Sequence, residues 1–186
     1  MDTIEKSLQS IDDFQYEKLL DSCVDALDNN HKIIVSGLGK NVCVCEKFVG
    51  TMLSLGQDAQ FMNTDSAVHG DLGMVKDGDV VIILTKSGNT IESVHLTGFL
   101  LQRNCENWLL SFSNASKCAD LIDNHLVLEL EHEGDDWDIV PNNSTTVNLI
   151  VLQTLALDIA HKRGVTLHDF KPNHPGGAIG EELKNV

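Results

Sequence analysis

The stretch VVIILTKSGNTIESV, residues 80–94, decides the fold of this 186-residue chain. It begins with five consecutive apolar residues, most of them β-branched, which predict a strand buried on both faces. Polar residues and a glycine follow, and then helical spacing begins, so the chain turns from a strand into a helix. Backbone N–H groups at the start of such a helix have no helical partner and lie at the positive end of its dipole. The turn therefore suits a bound phosphate.

The side chains of the turn allow two interpretations. Hydroxyl groups of Thr85, Ser87 and Thr90 surround the free N–H groups, and Gly88 lets the backbone approach a ligand closely. Alternatively, residues 85–90 form an ordinary loop in which Asn89 caps the helix and Glu92 completes a capping box. The turn alone does not decide between a phosphate site and a structural loop.

Composition limits the possible partners. The chain has 13 basic and 28 acidic residues, a formal net charge of −15. Nucleic acids and anionic membranes require a basic face, so we expect neither as a partner. No leader is evident and no apolar run approaches ~18 residues, so we expect a cytoplasmic protein. Five cysteines, an odd number, indicate reduced thiols and no disulfide framework.

Short apolar strands alternate with helical segments along the whole chain. Strands are predicted at residues 32–35, 59–62, 80–84, 108–112 and 126–130. Helices are predicted at residues 1–30, 41–55, 91–105, 117–123 and 144–162. Residues 164–186 show little periodicity and are expected to be irregular, and no linker divides the chain, so residues 1–186 should form one domain. The fold class is α/β, a doubly wound five-stranded parallel sheet with helices on both faces.

Right-handed crossovers favour the strand order 2-1-3-4-5. In this order the first and third strands are neighbours, and the crevice at their carboxyl ends is the usual ligand site. Two glycine-containing loops, SGLGK at residues 36–40 and TKSGNT at residues 85–90, both leave the sheet there. The first loop is not a dinucleotide fingerprint, because Val42 stands where the third glycine belongs. The convergence of the loops favours a phosphate site.

Lys40 opens a helix, where a cation interacts unfavourably with the dipole, so an anionic ligand explains it better than local stability does. His132 lies between Glu131 and Glu133 and could bind a metal ion, but nothing else in the sequence completes such a site. We therefore expect neither a metal nor another cofactor.

The motifs together resemble the sugar isomerase (SIS) domain family, and within it the D-arabinose 5-phosphate isomerases. The resemblance rests on TKSGNT, on GLGK at residues 37–40, HGDLGMV at 69–75, STT at 144–146 and HPGGAIG at 174–180. It implies a flavodoxin-like sheet, a homotetramer, and interconversion of arabinose 5-phosphate and ribulose 5-phosphate. The tandem CBS domains common in the family are absent, so we expect a stand-alone form or the catalytic part of a longer chain.

The resemblance also implies roles for individual residues. Catalytic positions of the family match Lys40, Glu92, Glu133, His174 and His69. Residues expected to bind the substrate are Gly39, Thr85, Ser87, Gly88, Asn89, Thr90, Ser144 and Thr145. In the family the histidine matched by His174 lies at a neighbouring subunit's site.

Aldose–ketose isomerisation needs a base that moves a proton between adjacent carbons through an enediol, and a group that stabilises the oxyanion. Histidine suits proton transfer near neutral pH, so His174 is the first choice for the base and His69 the second. Each has a structural alternative: His69 could cap a turn and His174 could order a Pro-Gly loop. Similarly, Glu92 could serve the capping box, and Glu133 could be a solvated residue of an acid-rich loop.

The chain departs from the family near the sugar-binding side. Asn41 replaces a serine, Lys86 replaces a neutral residue, and residues 135–138 form an acidic loop. These departures leave the sugar open, with 3-hexulose 6-phosphate as an alternative to arabinose 5-phosphate. Two other classes remain: a non-catalytic sugar-phosphate sensor, which would not need His174, and a purely structural domain, which leaves the loop convergence unexplained.

Overall fold

The fold centres on a parallel five-stranded sheet in the order β2-β1-β3-β4-β5, as a computed structural model describes it for residues 2–184. The strands are β1 (Ile33–Gly37), β2 (Ala59–Asn63), β3 (Val80–Leu84), β4 (Glu106–Ser111) and β5 (Asn124–Val127). Both β1 and β3 are buried along their whole length, as their uninterrupted apolar sequence predicts. The predicted fold class and strand order are confirmed.

Helices cover both faces of the sheet. They are α1 (Asp2–Gln9), α2 (Asp13–Asp28), α3 (Asn41–Ser54), α4 (Ile91–Leu100), α5 (Asn143–Lys162), α6 (Leu167–Phe170) and α7 (Gly177–Leu183). Successive side chains of β3 alternate between two apolar clusters. Val80, Ile82 and Leu84 join the cluster formed with α2, α3 and α5, whereas Val81 and Ile83 join the cluster formed with α4. None of the helices within residues 2–184 is long and apolar enough to cross a membrane.

The predicted helix at residues 117–123 is wrong. The segment forms only turns: its first N–H groups bond the turn after β3, the Asp120 and Ile122 N–H groups bond four residues back, and β5 begins at Asn124 before a second helical turn forms. The Cys118 N–H donates to the Gly88 carbonyl at 3.0 Å, and the Ala119 N–H donates to the Ser116 hydroxyl at 3.2 Å. This segment therefore braces the turn that follows β3.

Helix α4 ends at Leu100 and not at residue 105. Beyond it the Gln102 and Arg103 N–H groups bond three residues back, which tightens the chain into turns. The Asn104 carbonyl then accepts the Gly78 N–H at 2.8 Å, so the chain turns directly into β4.

The prediction that residues 164–186 are irregular is also wrong over two short stretches, α6 and α7, while residues 185–186 lie outside the described residues. Helix α6 begins with a capping box, in which Thr166 and Asp169 each bond the other's backbone. Four residues are too few to show periodicity, but the Thr-x-x-Asp spacing is itself a recognised helix start.

Candidate functional site

A cleft of about 230 Å³ lies at the carboxyl ends of β1 and β3, at the predicted switch point. Its walls come from the loop after β1, the turn after β3 with the start of α4, and the start of α5. The lining residues are Leu38, Gly39, Lys40, Asn41, Leu84, Thr85, Lys86, Thr90, Ser93, Pro141, Ser144 and Thr145.

Three helix N-termini meet at this cleft. Lys40, Thr90 and Asn142 precede α3, α4 and α5, and none of these three described residues caps its helix with its own side chain. In α3 the Asn41 and Val42 N–H groups bond backbone carbonyls of the preceding loop, and in α5 the Asn143 and Ser144 N–H groups bond Glu133. Of the three helix starts, that of α4 therefore has first-turn N–H groups to offer a ligand. The positive ends of the α3 and α4 dipoles and the exposed Lys40 give the cleft a field that favours an anion.

The turn after β3 is held by its own side chains. The Thr85 hydroxyl, 4% exposed, accepts the Gly88 N–H at 3.2 Å. The Asn89 carboxamide donates to the Ser87 carbonyl at 3.1 Å and accepts the Lys117 N–H at 3.1 Å. The predicted capping box at Asn89 and Glu92 is wrong, since α4 begins after Thr90 and Asn89 bonds elsewhere.

The structure brings together most of the predicted substrate-binding residues. Gly39, Thr85, Thr90, Ser144 and Thr145 line the cleft, whereas Ser87, Gly88 and Asn89, all within the described chain, are not among its lining residues. Ser87 and Asn89 are exposed on the outside of the turn, whereas Gly88 is buried against Ser116. The Ser87 hydroxyl accepts the Asn89 N–H at 3.2 Å, so it helps to shape the turn.

Glu133 is the most enclosed of the predicted catalytic residues, with no exposed surface. Four donors reach its carboxylate. Lys86 Nζ and the Ser144 hydroxyl bond Oε1, each at 2.7 Å. The N–H groups of Ser144 and Asn142 bond Oε2 at 2.9 and 3.1 Å. The alternative of a solvated surface glutamate is wrong.

The environment of Glu133 sets its charge. Burial raises the pKa of the carboxyl, but the ammonium of Lys86 and the donors of Ser144 and Asn142 together outweigh burial and lower the pKa. The ionised carboxylate also lies at the N-terminus of α5, where the helix dipole favours a negative charge. Glu133 is therefore an anion at neutral pH.

The possible metal site at residues 131–133 does not form. Glu131 accepts a hydrogen bond from Lys6 at 2.8 Å, and His132 Nε2 lies 2.9 Å from the Thr3 hydroxyl. Glu133 points inward to Lys86, so the three side chains have three separate partners.

His174 lies far from the cleft of its own chain. Its Nε2 is 2.7 Å from the hydroxyl of Ser54, the last residue of α3, and its Nδ1 is 3.1 Å from the Phe170 carbonyl. Its ring stacks on Phe170 with centroids 3.9 Å apart. Lys40 precedes the first turn of α3, and fourteen helical residues span about 20 Å. One chain does not bring His174 and Lys40 together.

Two other predicted catalytic residues lie near the carboxyl edge of the sheet without lining the cleft. Glu92 is half-buried in the first turn of α4. His69 is exposed at the end of a 3₁₀ helix, Ala67–His69, in the connection between β2 and β3. Within residues 2–184, neither is among the cleft-lining residues.

Six lining residues were not among the predicted site residues, and three of the six are polar: Asn41, Lys86 and Ser93. Ser93 lies one turn after Thr90 in α4, a helical spacing that could have revealed it. Asn41 and Lys86 were noted only as departures from the family. The Asn41 carboxamide oxygen accepts a hydrogen bond from Asn148 at 3.1 Å, and Lys86 pairs with Glu133, so both contacts cross to distant parts of the chain.

Comparisons with known proteins agree with this architecture. The arabinose 5-phosphate isomerase KdsD of Salmonella typhi is 31% identical over 178 residues, 96% of this chain and 54% of that protein. The chain thus spans about half the length of the curated relatives it matches. The c3406 protein of Escherichia coli CFT073, solved in complex with arabinose 5-phosphate, is 28% identical with a TM-score of 0.86, over 94% of this chain and 90% of that one.

The Vibrio vulnificus NanR protein, complexed with ManNAc-6P, shares the fold at 16% identity and a TM-score of 0.72, over all of this chain and 65% of that one. The SIS domain model matches residues 26–160, which include all five strands and the cleft. This chain belongs to the SIS domain family.

Proposed function

We propose that the protein is a sugar-phosphate aldose–ketose isomerase, with D-arabinose 5-phosphate and D-ribulose 5-phosphate as the leading substrate pair. The observation that carries the proposal is the cleft, where helix N-termini, Lys40 and several hydroxyl groups converge on a space open to a small anion. Similarity to arabinose 5-phosphate isomerases and to the c3406 protein supports this choice of sugar.

The phosphate would bind at the turn after β3. The first-turn N–H groups of α4 and the Thr90 hydroxyl supply donors there, and Ser93 extends the same wall. Binding energy from this remote group would position the reacting carbons of the sugar. Ser144 and Thr145, at the start of α5, would contact the sugar hydroxyls.

The chemical step would move a proton between adjacent carbons through an enediol. His174 of a neighbouring copy would act as the base, with His69 as the second choice, in a homotetramer with shared sites. Lys40, which lines the cleft, would stabilise the developing oxyanion. Glu92, in the first turn of α4 and outside the cleft lining of a single chain, would be a further catalytic residue.

The test is a coupled isomerase assay over a panel of pentose and hexose phosphates, which includes arabinose 5-phosphate and 3-hexulose 6-phosphate. Exchange of the substrate's carbon-bound proton with solvent should accompany turnover. Binding of a sugar phosphate without exchange, for every member of the panel, would contradict isomerisation and favour a sensor.

A further inference from the structure

Lys86 reaches the cleft from the same turn that would hold the phosphate. Its side chain lines the cleft and is 47% exposed, so it is open to a ligand. Its Nζ is 2.7 Å from Glu133 Oε1. An ammonium group carries three N–H donors, so this single contact leaves two for other acceptors. One N–H of Lys86 thus holds the side chain at Glu133, and the other two can donate to a ligand in the cleft.

Glu133, in contrast, has no acceptor position to spare. A carboxylate offers about four lone-pair positions, and the four donors described above fill them. Accepting a proton from a substrate would require one of these donors to leave. The carboxylate also has no exposed surface on which a substrate could contact it.

Few charged groups surround Glu133. Lys86 faces its carboxylate from the turn after β3, and the start of α5 presents only the neutral groups of Ser144 and Asn142. In its own loop, the Asp138 carboxylate accepts the Glu133 backbone N–H at 2.6 Å. Lys86 is therefore the charged group that balances the buried carboxylate.

We infer that Lys86 is a second cationic phosphate-binding residue of the cleft, and that Glu133 positions Lys86 and Ser144 without exchanging a proton with the substrate. The Ser144 hydroxyl donates to Glu133, so its lone pairs remain free to accept from a sugar hydroxyl. The inference rests on the proposed function only in that it takes the ligand to be a phosphorylated sugar.

The first experiment titrates inorganic phosphate into the wild type, Lys86→Met and Lys86→Arg. The matched control is Lys6→Met, which also removes a glutamate-paired lysine, but from the exposed pair with Glu131 outside the cleft. We expect Lys86→Met to weaken phosphate binding tenfold or more, Lys86→Arg to restore most of it, and Lys6→Met to leave it unchanged. Wild-type affinity in Lys86→Met would overturn the inference, as would an equal loss in Lys6→Met.

The second experiment follows the ¹³C chemical shift of the Glu133 carboxyl as the pH falls. In the wild type and in Lys86→Arg, Glu133 should stay ionised through the neutral and mildly acidic range. A wild-type midpoint near neutral pH would overturn the positioning role. Neither experiment needs turnover, so inactivity towards all sugar phosphates would remove the proposed function and leave this inference standing.

In an active preparation, Glu133→Gln should raise KM more than it lowers kcat. A fall in kcat of about 10²–10⁴-fold at unchanged KM is what loss of an acid–base group produces, and would overturn the positioning role.

Discussion

Gly88 shows how one residue shapes the turn at the cleft. Its φ of +67° lies in the left-handed region, which side chains disfavour. A Cβ atom at this position would lie 2.1 Å from the Ser116 hydroxyl oxygen and 2.7 Å from Ser116 Cβ. Both the backbone conformation and the close approach therefore require glycine.

We expect Gly88→Ala to lower the free energy of unfolding by about 1–3 kcal/mol, because it adds backbone strain and displaces Ser116. Gly98→Ala in α4 is the matched control, since nothing lies within 4 Å of its added Cβ. That variant should raise the stability by about 0.5–1 kcal/mol, as alanine replaces glycine inside a helix. Urea unfolding of both proteins measures the difference, and equal stabilities would contradict the close-approach argument.

The Lys86–Glu133 ion pair should make the free energy of unfolding depend on pH. The pKa of Glu133 is lowered in the folded protein, so the stability that it contributes is present above its unfolded pKa and is lost as the pH falls through the folded pKa. Lys86→Met removes the ammonium group that lowers the pKa of Glu133, whereas burial, which raises this pKa, remains. The pKa of Glu133 should therefore rise in the variant. Because its folded pKa lies closer to the unfolded one, Glu133 contributes less pH-dependent stability in the variant, which therefore loses less stability than the wild type as the pH falls.

The stability gap between the wild type and Lys86→Met should therefore be largest near neutral pH and narrow in acid. Breaking a fully buried ion pair costs about 3–5 kcal/mol, and the loss here should be smaller because Lys86 is half exposed to water. Urea unfolding across the pH range measures the gap. A gap independent of pH would show that Lys86 does not control the ionisation of Glu133.

At the scale of elements, Thr90 at the start of α4 is a position where a mutation should change ligand binding without changing stability. Thr90 lines the cleft but, within the described residues, makes no side-chain capping bond to α4. Thr90→Val therefore removes no capping contribution, yet it removes a hydroxyl donor for a phosphate. A charge-assisted hydrogen bond of this kind contributes about 1.5–3 kcal/mol.

We expect Thr90→Val to weaken phosphate binding by one to two orders of magnitude, roughly tenfold per 1.4 kcal/mol, with little change in unfolding free energy. Ser87→Ala is the comparison, because the Ser87 hydroxyl bonds the Asn89 N–H outside the cleft lining. Its effect on affinity should be smaller. Calorimetric titration of both variants with phosphate measures the two losses of affinity. A larger loss in Ser87→Ala would indicate that the phosphate binds beside Ser87 and not in the cleft beside Thr90.

The sheet could be predicted from sequence because its signal is local. Residues 80–84 are apolar without interruption, and only a strand buried on both faces suits such a run in a chain that alternates strands and helices. Residues 117–123 do not form the predicted helix, because only one turn fits between the Lys117 and Cys118 N–H bonds to the turn after β3 and the start of β5 at Asn124, and the tertiary fold sets both limits. Short helices such as α6 were not predicted, because a single turn is too short to show helical periodicity.

The same distinction applies to the site. Gly39, Thr85 and Thr90 lie in loops whose position follows from strand order, so the sequence placed them at the cleft. The pairing of Lys86 with Glu133 joins two loops that are far apart in the chain, and neither residue type indicates it. Contacts of this kind depend on how two loops pack, which no periodicity records.

At the scale of the whole molecule, a single chain leaves the site open. Trp137 and Ile139 are 74% and 73% exposed in the loop that leads to Pro141 at the cleft wall. His174 is held against Ser54 at the opposite end of α3. Two exposed large apolar side chains in an otherwise acidic loop beside the cleft, and a distant histidine, are both consistent with completion of the site by a second copy.

Mixing two inactive variants tests this completion. Lys40→Met should disable a site through its own chain, and His174→Ala should disable a neighbour's site, each lowering kcat by about 10²–10⁴-fold if it loses an acid–base or oxyanion-stabilising group. After subunit exchange of equal amounts, a site that takes Lys40 from one copy and His174 from another is intact in roughly a quarter of cases. Isomerase activity should therefore reappear in the mixture.

The matched control for this recovery is the Lys40→Met/His174→Ala double variant mixed with either single variant. Each such mixture lacks one of the two side chains in every copy, so it should stay inactive however completely the subunits exchange. Light scattering on the same samples must show an oligomer. Full activity in a monomer would show that no second copy is needed to complete the site. If the subunits exchange and no activity returns, His174 does not act at a neighbour's site.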